Sequence, residues 1–215
     1  MAKEEGLLIK KPILKRKNLR TGADFALQDD AYFDGVLVKG VEMLSAEAID
    51  VSVESSLLEG VDLSNSKLKG LKLLDVQIEK GSFSNAEWEN GFLERVEIVG
   101  ARLTGLKIAD GILRDVVIKN SKVDLSQFRF SKFKHVRFEN CILTDADFLE
   151  ATLNGVVFDR CDLSRAEFSH ATFERVDLSG SIIEGLKIGP EQLRGVSIDA
   201  TQVFAVAQLM GVVIK

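Results

Sequence analysis

Large apolar residues recur at every fifth position along most of this chain. Stepping by five from Leu63 reaches Ile198 in one direction and Phe33 in the other, and nearly every step lands on an aliphatic or aromatic residue. No insertion breaks this frame between residues 31 and 190. A fixed short period predicts a repeat architecture, in which one small unit is stacked many times.

The residues around each apolar centre predict the shape of one unit. Two places before the centre stands a small or short-branched residue, as at Ala86 and Val156, and the residue between them is polar or charged. This alternation predicts a short strand with two side chains pointing inward. Two places after the centre, Gly, Asn and Asp predominate, which suits a tight corner that needs positive φ.

Four such units close a square coil of twenty residues, and successive coils stack about 4.8 Å apart. Residues twenty apart then share a column, as Phe128, Phe148 and Phe168 do. One unit cannot fold alone, because ordering five residues costs about 5–10 kcal/mol. Burying one centre returns only about 1.5–3 kcal/mol. The stability is therefore predicted to be cooperative along the rod.

The segments Ala146-Asp147-Phe148 and Ala166-Glu167-Phe168 resemble the pentapeptide-repeat family. The fold of that family is a right-handed quadrilateral β-helix, so the resemblance implies an all-β solenoid over residues 31–198. Residues 1–30 are then expected to form an irregular N-terminal cap with a flexible basic arm. Residues 199–215 are expected to form a C-terminal cap of one helix and one strand, which serves as the dimerisation element.

A narrower resemblance connects two segments to quinolone-resistance (Qnr-type) proteins. These segments are Gln127-Phe128-Arg129-Phe130 and the C-terminal run from Gly195 to Ile214. Members of that group bind type II DNA topoisomerases, mainly gyrase, are proposed to mimic duplex DNA, and dimerise through their C-terminal caps. The resemblance therefore implies a homodimer that binds DNA gyrase or topoisomerase IV, with fluoroquinolone protection as a further consequence. Better-known members carry projecting loops, and the frame here has none.

The C-terminal segment carries signals for a helical cap. Asp199 is a suitable N-cap, residues 200–210 predict a helix, and Gly211 predicts its end. Residues 212–214 predict a short strand. The apolar helix face is expected to comprise Val203, Phe204, Val206, Ala207 and Met210.

Two interpretations of this apolar cap are open. It either only seals the last coil or also forms a two-fold dimer interface, and the family resemblance favours the second. The expected dimer-interface residues are Phe204, Leu209, Met210, Val212, Val213 and Ile214.

Charge is distributed unevenly along and around the expected rod. Residues 1–30 carry seven basic and five acidic side chains, whereas the whole chain has a net charge of −5. We name each side of the coil after one of its centres. The Leu63 side has six acids and three bases, the Trp88 side eight and five, the Leu58 side seven and five, and the Leu93 side is balanced. The acids form no dense stripe on any side.

The Trp88 side is the predicted contact surface for a protein partner. Its expected partner-binding residues are Glu87, Glu89, Asp110, Asp147, Glu150 and Glu167. The acidic rod disfavours a nucleic-acid ligand. The cluster Lys15-Arg16-Lys17 allows a contact with nucleic acid, but a solvated tail is the favoured interpretation.

No pattern of residues predicts catalysis or a cofactor. The chain has no phosphate-binding loop, no nucleophile placed with a base, and no zinc-ligand spacing. His135 and His170 fall on outward corners and are expected to be solvated. Cys141 and Cys161 stack one coil apart, where core packing is favoured over a disulfide or a metal pair.

The remaining features concern location and function. The N-terminal segment around Lys3-Glu4-Glu5 does not have the pattern of a secretory signal peptide. Together with the low number of cysteines, two, this favours the reducing cytoplasm. No apolar run is long enough to span a membrane. The favoured function is a non-enzymatic, DNA-mimic-like binder of type II topoisomerase. The alternative is a protein-interaction scaffold with an unknown partner, because a fold does not fix a function.

Overall fold

The computed structural model is a β-solenoid of about eight turns that ends in one short α-helix, as the repeat predicted. It describes residues 8–21 and 25–213. Within this part of the chain, no helix has the length and apolar character to cross a bilayer. The strands are β1 (Arg20–Thr21), β2 (Tyr32–Asp34), β3 (Val36–Lys39), β4 (Glu47–Ile49), β5 (Ser52–Glu54), β6 (Leu57–Glu59), β7 (Lys67–Lys69), β8 (Lys72–Glu79), β9 (Phe92–Val99), β10 (Ile112–Lys119), β11 (Lys132–Glu139), β12 (Thr152–Asp159) and β13 (Thr172–Asp177), and the helix is α1 (Val203–Leu209).

Strands of successive coils pair in parallel with a register of twenty residues. Ile112 of β10 faces Lys132 of β11, for example. From β8 to β12 each strand runs through two sides of the square, the Leu93 and Leu58 sides. The other two sides are joined by isolated bridges such as Glu87 with Lys107. The sequence did not distinguish these two kinds of side.

Every corner of the coil has the same backbone conformation. Each fifth residue from 30 to 185 has a φ between 45° and 75°. Gly, Asn and Asp fill many of these positions, as predicted, but Arg95, Leu125 and Phe130 adopt the same conformation. Val, Ile and Thr do not occur at any of these corners, because a branched Cβ is strongly disfavoured at positive φ.

The apolar centres form one continuous core. Every centre from Ala48 to Phe168 is at most 5% exposed. The ring centroids of Phe128 and Phe148 lie 5.0 Å apart, and those of Phe148 and Phe168 lie 4.7 Å apart with an interplanar angle of 5°. The predicted single file of inward aromatic rings is therefore confirmed.

The N-terminal end of the core is closed by Phe25. This side chain is buried and its ring centroid lies 4.4 Å from that of Phe33. In the sequence, Ala23-Asp24-Phe25 looks like a repeat unit but lies eight residues before Phe33, out of the five-residue frame. Ala23 and Asp24 lie outside the described residues. Strand β1 extends the first coil by pairing with β3.

The C-terminal cap confirms two predictions about local structure. Asp199 accepts a hydrogen bond from the Thr201 N–H (2.8 Å), and the Gln202 side chain accepts one from the Asp199 N–H (2.9 Å). The cap begins with a 3-10 turn over Ala200–Gln202 and continues as α1. Gly211 follows with a φ of 75°. Gln202 Nε2 also donates to the carbonyl oxygens of Leu178 and Ser181, which ties the cap to the last coil.

Two expectations about this cap are corrected. Val212 and Val213 form no strand, because a strand needs a paired neighbour and none lies beside them in the described part of this single chain. The predicted apolar face of the helix is also wrong in part. Ala205, Val206 and Leu209 pack against the core. The predicted members Val203, Phe204 and Met210 are exposed instead. Ile214 lies outside the described residues.

Candidate protein-interaction surfaces

The structure places all six predicted partner-binding acids on the Trp88 side. Glu87, Asp147 and Glu167 precede buried centres and are half-buried. The other three are exposed: Glu89 follows a centre, and Asp110 and Glu150 occupy corners at φ 54°. The set is therefore a surface that a large partner can reach, although its members differ in their electrostatic surroundings.

Four of these acids are neutralised by bases on neighbouring coils. Lys107 Nζ lies 2.8 Å from Glu87, and Arg129 lies 2.6 Å from Asp147. Lys187 and Lys69 make longer pairs of 3.7 Å with Glu167 and 4.0 Å with Glu89. Such exposed pairs stabilise by at most about 1 kcal/mol each, but they cancel much of the local negative field.

The remaining two acids differ from these four. Within the described ranges, neither Asp110 nor Glu150 has an ion-pair partner. The pairing of Glu87 could have been predicted from the sequence. Positions 47, 67, 87 and 107 read Glu, Lys, Glu and Lys along one column, so each acid there has a lysine on a neighbouring coil. Sorting charges by side alone missed that alternation.

A second surface is the corner track, which comprises Asp75, Arg95, Asp115 and His135 in one column between the Leu93 and Leu58 sides. Arg95 Nε and Nη2 bind both carboxylate oxygens of Asp75, at 2.6 and 2.7 Å. His135 Nδ1 lies 3.5 Å from Asp115 Oδ1. His135 is therefore half-buried beside a carboxylate, which corrects the expectation that it is solvated, whereas His170 is exposed as expected.

The basic arm covers the corner track. The backbone N–H of Ile13 donates to Asp75 Oδ1 at 2.8 Å, and that of Lys10 donates to Asp115 Oδ1 at 3.2 Å. Arg16 binds the side chain of Glu79. The described part of the arm therefore lies along the rod rather than forming a flexible tail, because two buried corner carboxylates hold its backbone.

The hydrogen bonds at Asp75 set the pKa of its carboxyl. Burial raises this pKa, but the hydrogen bonds from Arg95 and from the Ile13 N–H outweigh burial and hold it below the ordinary value. The same carboxylate raises the pKa of the Arg95 guanidinium. The pair is therefore charged at neutral pH.

The third surface is the apolar end of the C-terminal cap. Its exposed members project from the last coil, whereas Leu209 packs inward and is half-buried. Exposed apolar patches of this kind mark interaction sites. The exposed residues are Val203, Phe204, Met210, Val212 and Val213, with 51–81% of each residue accessible.

The two cysteines lie in the core. Cys141 and Cys161 are free and buried, which confirms the prediction of core packing. A hydrogen bond to the Cys141 side chain and burial both raise the pKa of the Cys161 thiol. Across residues 8–21 and 25–213, no cluster of three or more His, Cys, Asp or Glu side chains can hold a metal ion.

Comparison with known families agrees with this geometry. A model described as a pentapeptide repeat region matches residues 100–168 and 131–203. This match shows a pentapeptide-repeat region over residues 100–203, and the same five-residue frame continues beyond it on the N-terminal side. No curated protein matches the sequence significantly.

Solved structures with a similar fold include two proteins of different description. Full-length QnrB1, a plasmid-mediated fluoroquinolone resistance protein, is 16% identical with a TM-score of 0.43 and covers 85% of this chain and 100% of its own. HetL of the cyanobacterium Nostoc sp. strain PCC 7120, a pentapeptide repeat protein involved in heterocyst differentiation regulation, is 16% identical with a TM-score of 0.41. That match covers 79% of this chain and 87% of HetL.

Proposed function

We propose that this protein is a non-enzymatic, dimeric binder of a type II topoisomerase, DNA gyrase or topoisomerase IV. The observation that carries the proposal is the acidic rod, which continues without a projecting loop for about eight turns and then ends in an exposed apolar cap. A rod with a net negative field is attracted to basic grooves that otherwise hold DNA. The sequence resemblance of the cap to Qnr-type proteins supports the choice of enzyme.

The Trp88 side is the proposed contact surface. It carries more acids than bases, and its side chains are held on a rigid ladder of coils. Rigid presentation lowers the entropy lost on binding. Because four of its acids are already paired with lysine or arginine, we expect this surface to attract a basic partner less strongly than a fully unpaired acidic stripe does.

The experiment is a gyrase supercoiling assay with the purified protein, with and without a fluoroquinolone. We expect the protein to alter supercoiling, or its inhibition by the drug, at micromolar concentration, and we expect direct binding to the enzyme. If the protein shows no effect on supercoiling and no binding to the enzyme at that concentration, the proposal is wrong. Protection against the drug is the narrower outcome of the same assay.

A protein-interaction scaffold is the second candidate function. The ion pairs between neighbouring coils favour this function, because pairs such as Lys107 with Glu87 give the Trp88 side a mixed rather than a uniformly negative surface. Affinity capture with the purified rod tests it. Saturable binding to a defined protein other than a topoisomerase, together with no effect on supercoiling, would favour the scaffold.

A further inference from the structure

Phe130 occupies a corner where its side chain contributes nothing to the hydrophobic core. It is 46% exposed, has a φ of 60°, and is absent from the cluster of core residues. Positive φ is unfavourable for a residue that has a side chain of this size. In the same corner column the chain places Asn90, which tolerates this conformation well. An exposed aromatic ring is therefore held at a position that its own backbone disfavours.

The corners directly below and above Phe130 are acidic. The backbone N–H of Asp110 donates to the Arg129 carbonyl, and that of Phe130 donates to the Leu149 carbonyl, both at 3.1 Å. These bonds place Asp110, Phe130 and Glu150 in one column with a spacing of about 4.8 Å per coil. Asp110 and Glu150 are the two predicted acids that have no ion-pair partner among the described residues.

Leu125 is the comparable residue at the opposite edge of the Trp88 side. It is 55% exposed and has a φ of 59°. Its column differs, because the next coil places Asp145 there and Arg165 binds that carboxylate at 2.6 Å. Leu125 therefore shares the exposure and the backbone conformation of Phe130 but lacks the flanking free carboxylates.

We infer that Phe130 is the apolar anchor of the partner interface and that Asp110 and Glu150 are its two charged clamps. The occupant is a protein surface with an apolar pocket between two lysine or arginine side chains about 10 Å apart, the rise of two coils. Charge complementarity supports this occupant, since neither carboxylate has an ion-pair partner within residues 8–21 and 25–213. A desolvated aromatic ring inside a polar rim is the usual form of an interface hot spot. The inference rests on the proposed function and identifies the part of the Trp88 side that recognises the topoisomerase.

The test compares Phe130→Asn with Leu125→Asn in the full-length protein. Both changes place Asn at a left-handed corner, so both should raise the melting temperature, by about 2–8 °C. Only Phe130→Asn should weaken binding to gyrase or topoisomerase IV, by about 30-fold or more. Phe130→Tyr should retain binding within about threefold, because it keeps the ring.

A double variant tests the clamps. Asp110→Asn with Glu150→Gln should weaken binding at low salt. The loss of affinity relative to the wild-type protein should be smaller at high salt, because the screening length falls as ionic strength rises. The role of Phe130 as anchor is wrong, and the proposed function stands, if the wild-type protein binds the enzyme and Phe130→Asn binds it equally well. The same conclusion follows if Leu125→Asn loses as much affinity as Phe130→Asn. If the wild-type protein binds neither enzyme, the proposed function and the anchor fall together.

Discussion

At the scale of single residues, position within the five-residue unit decides what a side chain does. A centre such as Phe148 is completely buried between the rings above and below it. A corner such as Asn90 is exposed and must adopt positive φ. The first position requires apolar volume and the second requires backbone tolerance, so the same residue type has opposite effects two places apart.

Removing one ring from the aromatic column should be costly. Phe148→Ala leaves a cavity between Phe128 and Phe168, so we expect the free energy of unfolding to fall by about 3–5 kcal/mol. The measurement is urea unfolding followed by the fluorescence of Trp88, the single tryptophan, which is buried in the core.

The control for this cavity is Ile142→Ala on the same coil. Ile142 points outward and is 45% exposed, so its loss should change stability by at most about 0.5 kcal/mol. Equal effects of the two substitutions would contradict the assigned interior and exterior of the coil.

At the scale of elements, the position of the basic arm depends on its contacts with the surface of the rod. Strand β1 fixes one end of it, and the corner carboxylates of Asp75 and Asp115 hold the backbone further along. Neither hydrogen bond involves a side chain of the arm. The corner track therefore holds the backbone of the arm, and Arg16 adds a side-chain contact with Glu79.

Asp75→Asn should loosen the arm and change the pH dependence of stability. A carboxyl whose pKa is lowered on folding stabilises the fold above about pH 4, and this contribution is lost as the pH falls through the lowered value. We expect a loss of about 1.5–3 kcal/mol at pH 7 that shrinks below pH 4. Urea unfolding against pH measures it, and tryptic cleavage at Lys10 or Lys15 should become faster.

Asp145→Asn is the matched control for the track. Asp145 is also a corner carboxylate bound by an arginine of the next coil, but that pair is exposed and makes no hydrogen bond with the described part of the arm. We expect little change in stability and no change in cleavage of the arm. Release of the arm by this variant would show that the arm responds to general electrostatics.

At the scale of the whole molecule, charge is organised in columns that run along the rod. Neighbouring coils bring side chains twenty residues apart together, so a lysine such as Lys107 neutralises an acid such as Glu87 on the coil below it. The field that a partner meets therefore depends on which acids lack a neighbour of opposite sign. Net charge and side totals do not contain that information.

Charge reversal should separate paired from unpaired acids. Asp110→Lys with Glu150→Lys should weaken topoisomerase binding at least about tenfold more at low salt than at high salt. Glu87→Lys with Glu89→Lys removes acids that are already paired, so its effect should be smaller. Titrations of each double variant at two ionic strengths measure this, and the reverse order would argue against the unpaired acids as the contact.

The apolar end of the cap should control oligomeric state. Phe204→Asp places a charge in the exposed apolar patch and should shift a dimer toward monomer, because an unpaired charge is costly to bury. Gln208→Asp on the same helix adds a similar charge at a polar exposed position and should leave the dimer intact. Sedimentation velocity distinguishes these outcomes, and a monomeric wild-type protein would remove the dimer interface.

Much of the fold could be predicted from the sequence, because a five-residue period states which side chains enter the core. The inward column through Phe128 and Phe148, the N-cap at Asp199 and the helix end at Gly211 were all readable from local pattern. The candidate surface was only partly readable. The position of its acids on the Trp88 side of the coil followed from the five-residue frame, but their pairing and the exposure of Phe130 were not recognised.

The sequence by itself determined the solenoid, its interior and its corners, because each follows from contacts that repeat with the period of the chain. Only the tertiary structure decided where the arm lies, which acids remain unpaired and which face of α1 is exposed. Each of these depends on contacts between residues far apart in the sequence, such as Lys10 with Asp115. The periodic pattern predicts the spacing of the coils, but it does not specify which side chains or segments contact one another on the outer surface of the coils.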